Sequence, residues 1–365
     1  MIHMNDFKRE YEALREALLP KIDACLANGY YILGGEVAAF EHEFAAFVGT
    51  KYCVGVANGM EAIEIVLRAL NIGEGDEVIT VSNSAVATAL AITRTGATPV
   101  FADLDEYFHM DPASVEKVIT PKTKAMLPVH IFGQSADIDG LMQLCKKHDL
   151  FLVEDACQAH GTKMNGRHVG SFGDAGAFSF YPTKNLGSYG DGGAITTDNK
   201  ELADTCRMLR NYGQETRYHH KLKGLNSRLD ELQAVILRDK LGHLNDFVSK
   251  RQHVAALYRK NLTGIPEVTL PMEREGGTNS YHLFVIRVSK RDELQAYMKD
   301  HGVESLVHYP IPIHKQECYK ELNSLTLPVT EAYAKDVLSI PIHPFLTDEE
   351  VKTVSATIRA FYTHK

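Results

Sequence analysis

Tyr52-Cys53-Val54-Gly55-Val56-Ala57 is followed by Asn58 and then by Gly59-Met60-Glu61-Ala62-Ile63-Glu64-Ile65-Val66-Leu67-Arg68-Ala69-Leu70. The first six residues are mostly apolar and read as a strand. In the second run Ala62, Ile63, Val66, Leu67 and Leu70 recur at helical spacing, which places them on one face. A short apolar strand, a glycine turn and an amphipathic helix make one unit, and the unit repeats downstream. Residues 78–82 read as a strand and 84–94 as a small-residue helix. Residues 99–103 read as a strand, and Asp111-Pro112 as an N-cap followed by proline at the first helical position. Residues 125–131, 137–148 and 151–155 read as strand, helix and strand. Such alternation predicts a mostly parallel sheet with helices on both faces.

After residue 155 the pattern changes. Residues 175–180 and 193–197 read as short strands around a glycine-rich turn, and residues 226–262 as long helical segments. A second unit follows, with strand 283–289, helix 291–301, strand 305–309 and a closing helix over 348–362. The expectation is a large α/β domain over residues 1–240, built on a mostly parallel sheet of the seven-stranded type, and a smaller C-terminal α+β domain over residues 241–365.

The chain has 365 residues, ample for two cores, with 44% apolar and 24% charged residues. A net charge of -8 argues against a broad nucleic-acid footprint. No apolar run approaches the roughly 18 residues of a membrane helix, and residues 1–15 lack the apolar stretch of a secretory signal. The six cysteines form no CxxC pair, so free thiols are expected rather than a disulfide framework or a zinc site. A cytoplasmic enzyme without a nucleic-acid or membrane partner fits these features.

Two segments carry the chemistry. Asp155 closes a predicted strand in Glu154-Asp155-Ala156-Cys157-Gln158-Ala159-His160-Gly161, and ligands of open α/β sheets bind beyond the carboxyl ends of strands. Lys184 follows another strand in Phe178-Ser179-Phe180-Tyr181-Pro182-Thr183-Lys184. Pyridoxal 5'-phosphate needs such a pair: a lysine to hold it as a Schiff base, and an acid to keep its pyridine nitrogen protonated so that the ring accepts electrons. A desolvated lysine amine also serves as nucleophile and proton carrier. The bland alternatives are a capping aspartate and a solvated lysine, and they suit these surroundings poorly. Asn58-Gly59-Met60, between strand and helix, offers unsatisfied amides as a phosphate seat. Neither a Walker loop nor a GxGxxG dinucleotide turn is present. His219-His220 lies in a polar stretch and reads as solvated, so no metal is expected.

With these motifs the chain resembles the DegT/StrS-type nucleotide-sugar aminotransferases, of the aspartate aminotransferase fold, along nearly its whole length. The marks are residues 31–35, 56–62, 128–134, 154–161, 179–193, 209–213 and 226–234. The resemblance implies that Lys184 binds the cofactor, Asp155 pairs with its ring nitrogen and Gln158 bonds its phenolic oxygen. Gly59, Met60 and Ser179 would hold the phosphate, and Asn226 would reach the phosphate of the neighbouring subunit, making a homodimer with composite sites. His308, Tyr309 and His314 are candidate sugar or nucleotide contacts, with Tyr181 and Tyr189 at the cleft or packed at its rim.

Two positions depart from the family pattern. Ala85 stands where many members stack an aromatic residue on the ring, and Met60 where threonine is frequent. The Ala85-Val86-Ala87-Thr88 version is similar to that of members acting on dTDP-linked 3-keto sugars. The expected reaction is transfer of an amino group from L-glutamate, leaving 2-oxoglutarate, to C3 of a dTDP-linked 3-keto-6-deoxyhexose. The product would serve a surface polysaccharide such as lipopolysaccharide, or a glycosylated natural product. A 4-keto substrate and a non-catalytic, regulatory cofactor-binding protein are the alternatives. A related sugar dehydratase would carry histidine in place of Lys184.

Overall fold

The computed structural model describes residues 1–363. Two helices, α1 (Phe7–Asn28) and α2 (Gly35–Val48), precede the alternating region. That region runs β1 (Tyr52–Val56), α3 (Gly59–Ala69), β2 (Glu77–Val81), α4 (Val86–Thr95), β3 (Thr98–Ala102), α5 (Pro112–Val118), β4 (Thr123–Met126), α6 (Ile138–His148) and β5 (Phe151–Asp155). A small ribbon, β6 (Lys163–Met164) and β7 (Arg167–His168), leads to β8 (Ala175–Ser179) and β9 (Gly193–Thr197). Then come α7 (Lys200–Leu209), an exposed hairpin of β10 (Gln214–Thr216) and β11 (His219–His220), and α8 (Glu231–Leu262).

The main sheet has seven strands in the order β1-β9-β8-β5-β4-β2-β3. Only β9 runs against the others: it pairs antiparallel with both β1 and β8, while β8, β5, β4, β2 and β3 pair in parallel. Alternate side chains enter opposite cores, as the two-residue period requires. Val54, Val153 and Ile195 pack against Ile63, Val66 and Leu67 of α3. Cys53, Phe178 and Ala194 pack on the other face against Phe40 and Phe44 of α2 and Leu237 and Leu244 of α8. Helices thus cover both faces, which is why these strands read as continuous apolar runs.

The C-terminal unit contains β12 (Val268–Thr269), β13 (Gly277–Thr278), β14 (Phe284–Val288), α9 (Arg291–Asp300), α10 (Pro328–Asp336), β15 (Val337–Ile340) and α11 (Asp348–Thr363). Strands β12, β14 and β15 form an antiparallel sheet. Helix α8 serves both cores, with Leu244 and Val248 in the first and Val254, Tyr258 and Leu262 in the second. Residue 240 therefore lies within one continuous helix of 32 residues. The amino-terminal segment also ties the units together. Ile2 bridges Val303, the Met4 amide donates to Glu304, and Arg9 of α1 pairs with Glu350 of α11.

Several boundaries differ from the sequence reading. Helix α4 begins at Val86, not residue 84, because Ser84 turns its hydroxyl onto Thr88 and Ser82 is bonded to His314. The β4 ladder ends at Met126, although the amides of Leu127 and His130 still reach the carbonyls of Ile79 and Asp155. Residues 226–230 are extended rather than helical, bridging Asn226 to Asn211 and Asp230 to Ile32. The strand expected over 305–309 is reduced to one bridge, Leu306 to Ser339. The expected cap is present, with Asp111 accepting from Ala113, and Asp137, read as the first helical residue, instead caps its helix by accepting from Gly140.

Candidate active site

Asp155 is the last residue of β5, and Lys184 sits in the turn after β8. Both line a cavity of about 90 Å3 at the carboxyl ends of these strands, together with Gly59, Met60, Gln158 and Ser179. Six of the seven cofactor positions expected from sequence thus meet in one place. The seventh, Asn226, is exposed on the surface and does not line this cavity.

Asp155 is 3% exposed. Thr88 donates its hydroxyl to Oδ2 at 2.8 Å, and the Cys157 amide donates to Oδ1 at 3.2 Å. Since the Thr88 hydrogen is used there, the Ser84 hydroxyl, 2.8 Å away, donates to Thr88. A carboxylate has about four lone-pair sites, so this relay orients Asp155 and leaves room for one more strong donor.

Lys184 is partly buried, and burial lowers the pKa of its amine, with Cys157 and Asp155 pulling the other way. Its Nζ lies 3.5 Å from His282 Nε2, its one side-chain hydrogen-bond partner among the described residues. Gln158 is fixed at both ends: its Oε1 accepts from the Phe132 amide at 2.8 Å, and its Nε2 donates to the Tyr309 hydroxyl at 3.1 Å.

The turn into α3 is shaped for a close approach. A Cβ on Gly59 would lie 2.6 Å from Cys157 Sγ and 2.7 Å from Ser179 Cβ, so only glycine lets the helix start press against Ser179. The Asn58 side chain caps the Glu61 amide. The amides of Gly59 and Met60 keep no partner among the described residues, as at any helix start. An anion seat beside a hydroxyl, an oriented carboxylate and a lysine without a bonded acid together fit a phosphorylated pyridine aldehyde. No aromatic side chain lines the cavity among the described residues. Ala85 and Ala87 form part of its wall, with Met60, Ile63 and Val129 as the larger apolar groups.

The expected substrate contacts separate. Tyr309 touches Gln158, and its hydroxyl is pushed up to about 12 by burial. His308 donates to or accepts from Ser339 at 2.9 Å, and burial and then the Lys184 charge bring its pKa down to about 4. His314 is fully buried with its ring nitrogens on Ser82 and Glu331, and none of the three lines the cavity wall. Tyr181 and Tyr189 are exposed. No group of three or more potential metal ligands occurs among the described residues, and His219 and His220 lie on the exposed hairpin.

Two residues of the site carried no assigned role in the sequence reading. Thr88 sits in the first turn of a small-residue helix, where nothing distinguishes a carboxylate partner from a packing threonine. His282 comes from the C-terminal unit, about a hundred positions from Lys184, in no motif of its own.

An oriented strand-end acid facing a buried lysine, on a seven-stranded mostly parallel sheet, defines a pyridoxal-phosphate-dependent aminotransferase. The comparisons with known proteins agree. The model of the DegT/DnrJ/EryC1/StrS aminotransferase family matches residues 12–359, and the chain belongs to that family, whose cofactor is pyridoxal 5'-phosphate. It is 45% identical over 357 residues to a dTDP-3-amino-3,4,6-trideoxy-alpha-D-glucose transaminase of Streptomyces venezuelae, covering 97% of this chain and 94% of that one. It is 44% identical over 362 residues to a dTDP-3-amino-3,6-dideoxy-alpha-D-galactopyranose transaminase of Aneurinibacillus thermoaerophilus, covering 99% of each. Among solved structures, S. venezuelae DesV in complex with a ketimine intermediate superposes with a TM-score of 0.97 at 44% identity, covering 99% of this chain and 98% of that one.

Proposed function

We propose that this enzyme moves an amino group from L-glutamate to C3 of a dTDP-linked 3-keto-6-deoxyhexose. The observation that carries the reading is Lys184, held without a bonded carboxylate across the cavity from an Asp155 whose carboxylate is already oriented by Thr88 and Cys157. The similarity to two transaminases named for 3-amino dTDP sugars supports the regiochemistry and the nucleotide.

Pyridoxal phosphate, when bound, supplies the electron sink for the exchange. The chain supplies the rest. Gly59, Met60 and Ser179 hold the phosphate, the helix start contributing its amides. Asp155 would receive the ring N–H, and Gln158 would bond the phenolic oxygen. Lys184 first anchors the group, and its free amine then carries the proton to and from the substrate carbon at Nζ. Asn226 completes the phosphate site of a second copy, so the working unit is a homodimer, and the protein works in the cytoplasm. Amino sugars of this kind would serve a surface polysaccharide or a glycosylated natural product.

The test is a coupled assay of the purified protein with L-glutamate, pyridoxal phosphate and a panel of dTDP- and UDP-linked 3-keto and 4-keto deoxyhexoses. Amination at C3 of a dTDP sugar, read by mass spectrometry and NMR, is the expected result. Amination at C4, or preference for UDP, would overturn that part of the reading. Binding of the cofactor with no amination of any sugar would favour a regulatory role.

A further inference from the structure

A lysine that anchors a cofactor must also have somewhere to rest when it is free. In this structure Asp155 is not that place: its carboxylate takes Thr88 and the Cys157 amide and no hydrogen bond from Lys184. What Nζ meets instead is the Nε2 of His282, 3.5 Å away. His282 is 7% exposed, and its Nδ1 has no partner among the described residues.

The segment carrying His282 is fastened from several sides. Arg251 Nη1 donates to the carbonyls of Tyr281, His282 and Ile342 at 3.1, 3.4 and 2.8 Å. Asn185, the neighbour of Lys184, donates to the Ser280 carbonyl at 2.8 Å. The Ser280 amide donates to Gly133 and the Leu283 amide to Phe132, whose own amide holds Gln158. The ring is therefore fixed relative to both the lysine turn and the Gln158 side of the cavity.

We infer that His282 is the positioning residue for Lys184: it receives the amine whenever Nζ is not covalently engaged and keeps it aimed into the cavity. The role rests on the reading of Lys184 as the cofactor lysine. A neutral imidazole suits it. Nε2 can accept from an ammonium in one tautomer and donate to a free amine in the other. A carboxylate in the same place would hold the lysine as an ammonium, which is no nucleophile. The groups facing His282 keep it neutral: burial acts first, then Lys184, Arg251, His308 and His160, which together lower its pKa well below the ordinary histidine range. Facing Lys184 are Asp155 and Cys157, which favour its charged form against burial. A ring that only filled space would leave the chemistry of Nζ untouched.

The experiment uses the full-length chain, stripped of cofactor and then given it back, in wild-type, His282→Gln, His282→Asn and His282→Phe forms. Two quantities are read: the pH profile of Lys184 acylation, by peptide mass spectrometry, and the rate at which added pyridoxal phosphate couples to Lys184. Gln keeps a polar atom near the Nε2 position, whereas Asn keeps one only near Nδ1. Expected are a coupling rate at least tenfold lower in the Asn and Phe variants, an acylation midpoint moved to lower pH in Phe, and near wild-type behaviour in Gln. If Phe fails to fold, the Gln–Asn contrast alone decides. Equal coupling rates and acylation profiles in all forms would overturn the inference, as would equal losses in Gln and Asn. If cofactor couples to no form, the reading of Lys184 fails. The acylation profiles then still report whether His282 governs its amine.

Discussion

At the residue scale, the hydroxyl of Thr88 decides where Asp155 points. Thr88→Val keeps the shape of the side chain and removes the donor, leaving Oδ2 with one bond fewer in a buried setting. Hydrogen bonds to charged groups contribute about 1.5–3 kcal/mol, so pyridoxal phosphate should bind roughly tenfold or more weakly in equilibrium dialysis. Unchanged affinity would show that Asp155 is oriented without the relay from Ser84. Lys184 and Asp155 were legible in sequence because each closes an apolar strand, and strand ends are where such sheets bind ligands. Thr88 and His282 were not, because their significance is a distance across the fold. The place of His314 was hidden for the same reason: from sequence, a histidine near a tyrosine looks the same whether it faces a cleft or bonds Ser82 and Glu331.

At the scale of single elements, the start of α3 is the part least tolerant of added atoms. Gly59→Ala would drive its Cβ into Cys157 and Ser179, and overpacking of this kind costs about 1–3 kcal/mol. We expect a lower urea midpoint and weaker cofactor binding, with partial recovery in the Gly59→Ala, Cys157→Ala double variant because Sγ is the nearer obstacle. A double variant no better than the single one would place the obstruction at Ser179. Elements with a clear period and cap, such as α3 and α6, were read within a residue or two of their observed ends. The larger errors fell at 127–131, beyond the end of β4, and at 226–230 and 305–309, where the backbone partners are remote. Asn226 is held by Asn211, and Leu306 by Ser339, and no local pattern announces either pairing.

For the whole molecule, buried neutral histidines set the acid limit of stability. Burial brings His109 and His160 down to about 3, aided by Arg274 and His130 for the first and by Lys184 for the second. In the unfolded chain both titrate near 6.5, so there they bind more protons at any pH between these values. Their contribution is complete above about pH 6.5 and is lost as pH falls toward 3, by about 1.4 kcal/mol per pH unit for each. The urea midpoint of the cofactor-free protein should therefore drop between pH 7 and pH 5, and less so in His109→Phe. A flat profile would mean that both rings accept a proton in the folded state. Assembly is tested separately by Asn226→Ala. It should weaken cofactor retention while sedimentation still reports a dimer, and unaltered retention would remove Asn226 from the phosphate site. The sequence reading put a division near residue 240, from the second run of strands and helices that follows the long helical segment. That one helix would carry both cores was not visible there, since a helix covered on different faces by two neighbours has no single apolar stripe.

The bridge from Ile2 to Val303 has a meaning in time. A ribosome adds about 5–20 residues per second, so roughly 15 to 60 s pass between the synthesis of those two residues. Within that interval the first strands and helices can pair and α1 can meet α8 through Glu10 and Lys240, while Ile2 still lacks its bridging partner. The residues that line the cofactor cavity, Gly59 to Lys184, are all made before that bridge can form, and the His282 contact to Lys184 is a later addition from the C-terminal half.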